Sequence, residues 1–136
     1  MTKKKKVCIA MIVVIMIVVV VSLVFYLNYM SRVNKYQKTV SNMTFTNINI
    51  SKIPNGTYVG DCDVNFIYAK VSVTVTDGVI VNIELLEHKN GKGAPAEKIT
   101  DEIIQKQRLD VDAISGATNS SKVIIKAVEN ALINPL

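Results

Sequence analysis

Residues 112–121 read DAISGATNSS and carry four hydroxyl side chains within seven positions. An apolar helical pattern follows them, so a helix N-cap explains one hydroxyl or two, because Ser, Thr and Asn accept hydrogen bonds from the first free amides of a helix. A cap does not explain the pair Gly116-Ala117, whose small size leaves the side chain of Thr118 unshielded. The hydroxyl-bearing residues are Ser115, Thr118, Ser120 and Ser121.

A second hypothesis makes the same loop an anion site. A helix N-terminus presents free amide groups and a partial positive charge, which favour a bound anion. If a phosphate were esterified to Thr118, its negative oxygen would lie at that terminus, and Asn119, Ser120 and Ser121 could donate hydrogen bonds to it. The residues alone leave both hypotheses, plain capping and a phosphate site, open.

Other site chemistry is poorly supported by this sequence. The single histidine, His88, lies 27 residues before Ser115, and no Gly-x-Ser-x-Gly elbow is present, which argues against a Ser-His hydrolase. One histidine without a Cys-x-x-Cys pair predicts no metal site. Gly91-Lys92-Gly93 lacks the spacing of a phosphate-binding P-loop. Cys8 lies in a long apolar run that is expected to be in the membrane and Cys62 lies in the soluble part, so no disulfide within the chain is expected.

An apolar run near the N-terminus predicts a membrane anchor. Residues 7–27 contain no charge and only Ser22 as a polar residue, which is long enough to cross a hydrocarbon core of about 30 Å. The lysine block before it favours a cytoplasmic N-terminus, and no small-residue cleavage site follows. We therefore expect a basic tail (residues 1–6), a single-pass anchor in the cell membrane (7–27), a polar tether (28–52) and an extracytoplasmic domain (53–136).

The charge of the chain reflects this topology rather than a nucleic-acid partner. The formal net charge is +5, yet residues 53–136 contain eight Lys and Arg against eleven Asp and Glu, a net charge of −3. A basic surface that would attract nucleic acid is therefore not expected on the domain.

The pattern of residues 53–136 predicts a small α+β fold. Apolar residues alternate from Ile67 to Val75, Asp77-Gly78 is a tight-turn signal, and alternation resumes at Val79, Val81, Ile83 and Leu85, which predicts an antiparallel hairpin over residues 65–87. A short strand is expected at residues 57–59 and another at 111–114. Two helices, at about residues 95–107 and 120–133, should cover one face of the sheet.

The segment from Asn55 onward resembles the FMN-binding domain family, whose members include flavin subunits of the sodium-pumping NADH:quinone reductase. The family motif is Asp, two residues, Ser or Thr, then Gly-Ala-Thr. Asp112, Ser115, Gly116, Ala117 and Thr118 match it, although Ala113 replaces a common glycine and the loop after His88 lacks the Glu-Thr-Pro-Gly of the complex subunits.

The resemblance implies a cofactor and a site. FMN would be joined to Thr118 through a phosphoester, installed by a separate flavin transferase that uses FAD and magnesium. Gly116 and Ala117 would keep Thr118 accessible, and Asp112 would be recognised by the transferase or brace the loop. Ser115 would be structural, while His88 and residues 89–93 would border the isoalloxazine ring.

Two classes of function remain in competition. The first is a membrane-anchored flavoprotein that carries electrons between redox partner proteins or a quinone and need not be an enzyme with its own substrate. The second is a tethered module without redox activity, or an accessory subunit of a membrane complex, that binds FMN non-covalently.

Overall fold

The computed structural model describes residues 1–133, and its contacts divide the chain into residues 1–37 and the residues from 38 onward. A single helix, α1 (Lys3–Ser41), contains the expected anchor. Its most apolar window of 18 residues has a mean hydropathy of 3.5, so by length and composition the helix is able to cross a membrane. The helix continues through residues 28–41 of the expected tether, where no Gly or Pro interrupts it.

Three antiparallel strands in the order β1-β2-β3 form the sheet: β1 (Gly56–Asp63), β2 (Tyr68–Thr76) and β3 (Val79–Lys89). The β2–β3 hairpin turns at Asp77 and Gly78, whose φ angles of 51° and 73° are the two positive values of a type I′ turn. The predicted hairpin and the predicted strand at residues 57–59 are both confirmed.

A β-bulge near the start of β3 corrects the predicted alternation. Val81 has no partner on β2, because the neighbouring pairs of the register use Ile80 and Asn82. Such an extra residue shifts the inward-facing positions by one. Ile80 is therefore 1% exposed, whereas Val79 and Val81 are 43% and 50% exposed. The predicted inward positions of Val79 and Val81 were wrong, because the periodicity of a single strand does not reveal a bulge.

Two helices cover one face of the sheet, as predicted. A short 3-10 helix (Ala94–Lys98) leads into α2 (Ile99–Lys106), which packs against β3. The last helix, α3 (Thr118–Ile133), packs against β1 and β2 and begins two residues earlier than expected. Where α3 crosses β1, a Cβ on Gly60 would lie 2.7 Å from Ala131 Cα, so only glycine allows this close approach.

Gln107 ends α2 and also covers the outer edge of β3. Its side chain donates a hydrogen bond from Nε2 to Ile80 O at 2.8 Å, and Ile80 N donates to its Oε1 at 2.8 Å. The strand predicted at residues 111–114 is absent. The backbone amide of Val111 donates to Leu109 O, and that of Ile114 donates to Ser121 Oγ. These amides therefore have local partners instead of a neighbouring strand.

Residues 40–46, called here the 40–46 segment, follow α3 along its length. Val40, at the end of α1, is 1% exposed, so this part of the expected tether belongs to the folded domain. Three hydrogen bonds fasten the segment: Lys122 Nζ to Val40 O (3.3 Å), Lys126 Nζ to Thr44 O (3.1 Å) and Thr46 N to Glu129 Oε1 (3.1 Å).

Glu129 is the charged residue at the centre of this attachment. It is 1% exposed, and its Oε2 accepts a hydrogen bond from Lys126 Nζ at 2.8 Å. Burial alone would raise the pKa of the Glu129 carboxyl, but the hydrogen bonds from Lys126 and Thr46 outweigh it, and the pKa lies below its usual value. The carboxylate therefore stays ionised inside the fold.

Candidate functional site

A tight turn leads the chain into α3. Ala117 N donates to Ile114 O at 3.0 Å, which closes a four-residue turn, and Gly116 occupies its third position with a φ of 78°. A positive φ at this position is the requirement of a type II turn and favours glycine. A Cβ on Gly116 would meet nothing within 4 Å, so the outer side of the turn is open.

Ser121 holds this turn from inside the fold. The residue is 0% exposed, its hydroxyl donates to Ala117 O at 2.9 Å, and it accepts a hydrogen bond from Ile114 N at 3.0 Å. The one hydrogen of the Ser121 hydroxyl is thus used within the protein. Its position fixes the two ends of the turn relative to α3.

Thr118 is the first residue of α3 and is exposed. The residue before it, Ala117, has no polar atom in its side chain, so no side chain caps the helix from that position. Asp112, Ser115 and Asn119 are also exposed. The structure therefore places an exposed threonine at the first position of a helix, next to the open side of the turn at Gly116.

Ser120 faces the opposite way and is 2% exposed. A Cβ on Gly93 would lie 2.6 Å from Ser120 Cβ and would collide with Ser120 Oγ. The loop after β3 therefore packs directly on the first turn of α3, at a distance that requires glycine at position 93. This packing role of Gly93 was not predicted from the sequence, where Gly93 belongs only to the loop expected to border the flavin ring.

A second bulge in β3 turns His88 inward. Leu86 has no partner on β2, and after this extra residue His88 pairs with Ala69, which is 0% exposed on the face covered by the helices. The side chain of His88 is 3% exposed. Without the bulge, strict alternation from Leu85 would place Glu87 inside and His88 outside.

The imidazole of His88 has one satisfied nitrogen and one unsatisfied nitrogen. Its Nδ1 lies 3.0 Å from Glu97 Oε1. A carboxylate only accepts, so this contact places the hydrogen on Nδ1. Asn90 Nδ2 lies 3.3 Å from the same nitrogen. His88 Nε2 is fully buried and has no hydrogen-bond partner among residues 1–133.

The structure thus separates the predicted site residues into two groups. Asp112, Ser115, Gly116, Thr118 and Asn119 form the exposed rim of the turn. Ala117, Ser120, Ser121 and His88 lie beneath it or at its side, in contact with the interior. Within residues 1–133 no cluster of three or more His, Cys, Asp or Glu could hold a metal ion.

Comparison with known proteins assigns the domain. No curated protein is similar enough to the chain to count as a match. The family model of the FMN-binding domain matches residues 67–133, which run from the start of β2 to the end of α3 and include the turn, Thr118 and His88. These residues therefore belong to the FMN-binding domain family.

Proposed function

We propose that this chain is a membrane-anchored, extracytoplasmic flavoprotein that carries FMN in phosphoester linkage to Thr118 and acts as an electron carrier. One observation supports it above the others. Thr118 is exposed at the N-terminus of α3, directly after a glycine turn, inside a segment that matches the FMN-binding domain. The attachment needs an accessible hydroxyl, and Thr118 is exposed at the helix terminus that would stabilise the phosphate.

The attachment requires a transferase and an activated flavin. The Thr118 hydroxyl oxygen would bond to the FMN phosphorus of FAD, the pyrophosphate P–O bond would break, AMP would leave, and the hydroxyl proton would pass to the enzyme or to solvent. The transferase brings the magnesium for this step. The exposed Asp112 lies on the same loop and would be recognised by that enzyme.

The residues present fit the cofactor. The N-terminus of α3 would stabilise the negative charge of the phosphodiester. The space around Gly116 leaves room for a bulky group on Thr118. The unsatisfied Nε2 of His88 and the loop at residues 89–93, which packs on Ser120, would border the isoalloxazine ring. When bound, FMN supplies the electron transfer, and the protein supplies attachment, orientation and electrostatic tuning.

A carrier explains the covalent link better than an enzyme with its own substrate. A cofactor outside the cell would be lost by diffusion once it dissociated, whereas a phosphoester keeps it on the domain. Redox partner proteins or a membrane quinone would then deliver and receive the electrons. The helix α1 would hold the carrier at the membrane surface, with Lys3 to Lys6 on the cytoplasmic side.

Intact mass spectrometry of the full chain, produced together with a flavin transferase, tests the linkage. We expect the mass of one FMN on the wild type, none on Thr118→Ala, and one on Ser115→Ala, an exposed hydroxyl on the same turn. Flavin mapped to Ser115 or Ser121 would reject the assignment. A wild type that binds FMN but releases it on denaturation would favour the non-covalent module instead.

Protease added to intact protoplasts tests the topology. We expect digestion of the domain and survival of the N-terminal tail and anchor. Complete protection of the domain, or a mature N-terminus near residue 30, would contradict an uncleaved anchor with the domain outside.

A further inference from the structure

The outer edge of β1 is regular and carries no bulge. The strand order β1-β2-β3 places β1 at one side of the sheet, and all eight of its residues pair with β2 in one continuous register. On the opposite side β3 is interrupted by two bulges, and the side chain of Gln107 bonds to the backbone of Ile80 there. Native proteins usually block a free edge, because its open amide and carbonyl groups recruit another strand. The edge of β1 is therefore the better place for an added strand.

The hairpin turn determines which backbone groups of β1 face away from the sheet. In a two-residue turn the flanking residues, here Thr76 and Val79, form a hydrogen-bonded pair. Backbone direction alternates along a strand, so Val75 and every second residue before it direct their groups toward β1. The β1 partners of these residues bond inward, and the remaining residues of β1 direct their backbone groups outward. They are Thr57, Val59, Asp61 and Asp63.

A contact from α3 agrees with this direction, and a cavity lies beside the edge. Asn130 Nδ2 donates a hydrogen bond to Asp61 O at 2.8 Å, as expected for a carbonyl that points away from β2. Two large apolar side chains border the same place, since Val59 is 50% exposed and Ile133 is 42% exposed. With Gly60 they line a cavity of about 260 Å³. An added strand would cover this apolar surface and fill part of the cavity.

The charges of β1 favour a second copy of the same strand as the partner. Its carboxylates, Asp61 and Asp63, lie at one end, and its other end carries the uncharged Thr57. In an antiparallel pair centred on Val59, each Asp61 lies opposite Thr57 of the other copy, and the two valines face each other. Like charges directly opposite destabilise a sheet, whereas pairs of β-branched side chains stabilise it. A pairing centred on Asp61 would bring the carboxylates together, so the charges also select the register.

Side chains of that register also match on the face that carries α3. Tyr58, which is half-buried, lies opposite Gly60 of the second copy, where the cavity opens. An aromatic side chain next to an edge glycine covers the backbone that the glycine leaves bare. The strand is thus complementary to itself on both faces.

We propose that β1 pairs with β1 of a second copy, antiparallel and centred on Val59, so that two three-stranded sheets form one continuous sheet. Each Val59 amide donates to the Val59 carbonyl of the other copy, and Thr57 and Asp61 exchange the next bonds along the strands. Asp61 O already accepts from Asn130, but a carbonyl oxygen has two lone pairs and accepts both bonds. The result is a two-fold dimer in which both copies use the same surface.

The contact is small, and the membrane anchor compensates for this. One strand pair covers less than the roughly 800 Å² per partner of a standard interface, so free domains would associate weakly. The proposed anchor in α1 would hold both copies in one membrane and raise their effective concentration. The pairing does not involve the flavin, and the unmodified full chain is used to test it, so the result is independent of the linkage to Thr118.

Charges at position 59 test the two-fold contact. In Val59→Lys and in Val59→Glu like charges meet across the axis, so each variant alone should associate at least about fivefold more weakly than wild type. A mixture of the two variants brings opposite charges together and should restore the dimer. Asn82→Lys and Asn82→Glu, at an exposed position of β3, are the matched controls and should dimerise as wild type does. Light scattering of the full chain in detergent micelles measures the mass, and two affinity tags measure capture of one variant by the other.

Cysteine cross-linking in lipid vesicles tests the register while the anchor is in a membrane. Opposite residues of an antiparallel hydrogen-bonded pair have Cα atoms about 5.5 Å apart, within the range of a disulfide. In a Cys8→Ser, Cys62→Ser background, Val59→Cys should oxidise to a covalent dimer. Thr57→Cys should cross-link when mixed with Asp61→Cys, but not with itself. Asn82→Cys is the control for random collision and should stay monomeric over the same time.

Three results would overturn the pairing. A chain that forms no dimer in micelles and no cross-link at position 59 in vesicles does not use this edge. A dimer of equal strength in wild type and in both charged Val59 variants would belong to α1 instead. Cross-linking of Thr57→Cys with itself that is as fast as that of Val59→Cys would reject the register centred on Val59.

Discussion

The hydroxyl of Ser121 donates a hydrogen bond to the carbonyl oxygen of Ala117 at 2.9 Å. The residue that precedes Thr118 is thereby held by a side chain one turn into the helix. Because the same hydroxyl accepts from Ile114 N, the turn that displays Thr118 is fixed at both ends from the interior. The geometry of the exposed threonine thus depends on a serine that solvent does not reach.

Ser121→Ala should therefore destabilise the domain and reduce flavin attachment. The change leaves the amide of Ile114 without its partner, which costs about 1–3 kcal/mol. For a domain of this size each 1 kcal/mol lowers the melting temperature by about 4–8 °C. Thermal melting of the full chain in detergent micelles measures the first effect, and the flavinylated fraction by mass measures the second. Ser115→Ala, at an exposed position, is the matched control and should stay within about 0.5 kcal/mol of wild type.

Gly93→Ala should destabilise the domain through a collision with Ser120. A Cβ at position 93 would lie 2.6 Å from Ser120 Cβ, so the loop or the helix must shift, at a typical cost of about 1–3 kcal/mol. Ser120→Gly removes the obstructing side chain. A double-mutant cycle on melting temperature should show that Gly93→Ala costs less in the Ser120→Gly background. Additive effects would mean that the two residues do not meet.

The sequence predicted the elements of this fold better than their details. The hairpin, both covering helices and the long apolar helix follow from periodicity and turn residues, because these signals are local. The two bulges of β3 escaped prediction, since an extra residue in a strand depends on its partner strand. For the same reason the inward position of His88 was not foreseen.

The candidate site was likewise predicted only in part. The motif around Thr118 was recognisable because its residues are neighbours along the chain, and these residues form most of the exposed rim. The partners of the buried residues came from elsewhere in the chain: Gly93 meets Ser120, and Glu97 meets His88. Lys122 follows the motif closely, yet its ammonium donates to Val40 O, 82 residues away in sequence. Such long-range contacts have no local sequence signal.

Gly60→Ala should be the most damaging of the glycine changes. A Cβ there would meet the backbone of α3 at Ala127 and Ala131, and backbone atoms cannot move aside as a side chain does. We expect a loss above the 1–3 kcal/mol that is typical of overpacking, with loss of the folded domain as the extreme outcome. Gly56→Ala is the control on the same strand, because its Cβ would contact only the flexible Tyr58 side chain at 3.0 Å. Equal melting temperatures for the two variants would contradict the close helix–strand approach.

The attachment of the 40–46 segment should weaken in acid. The pKa of Glu129 is lowered in the folded state, so its stabilising contribution is complete above the pKa of the unfolded chain and is lost as the pH falls through the folded value. Glu129→Gln keeps the shape but not the charge. The difference in melting temperature between wild type and Glu129→Gln should therefore be largest near neutral pH and shrink as the pH falls below the usual range of a glutamate. A difference that is independent of pH would show that the charge on Glu129 makes no contribution.

Cys62 should resist thiol reagents in the folded protein. Burial raises the pKa of its thiol to about 11, and Lys126 nearby offsets only part of that effect. Since the thiolate is the reactive form, little of it exists near neutral pH. In a Cys8→Ser background, alkylation followed by mass spectrometry should be slow for the native chain and fast after denaturation. Rapid alkylation of the native protein near neutral pH would contradict this environment.

Attachment of FMN should raise the melting temperature of the domain. The phosphodiester would accept hydrogen bonds from the N-terminus of α3, and charge-assisted bonds of this kind contribute about 1.5–3 kcal/mol each before the cost of ordering the flavin. A net gain of about 1 kcal/mol corresponds to about 4–8 °C in a domain of this size. The comparison uses the full chain made with and without the transferase.

Two variants separate docking of the flavin from general stabilisation. Thr118→Ala, made with the transferase, should melt like the unmodified wild type, because Thr118 is exposed and makes little contribution of its own. Lys122→Met removes the hydrogen bond to Val40 O and should lower the melting temperature of both forms equally, so that the gain on flavinylation persists. Equal melting temperatures of modified and unmodified wild type would mean that the flavin is attached to Thr118 but makes no contact with the N-terminus of α3. A gain that disappears in Lys122→Met would mean that the lysine, rather than the amides of α3, holds the phosphate.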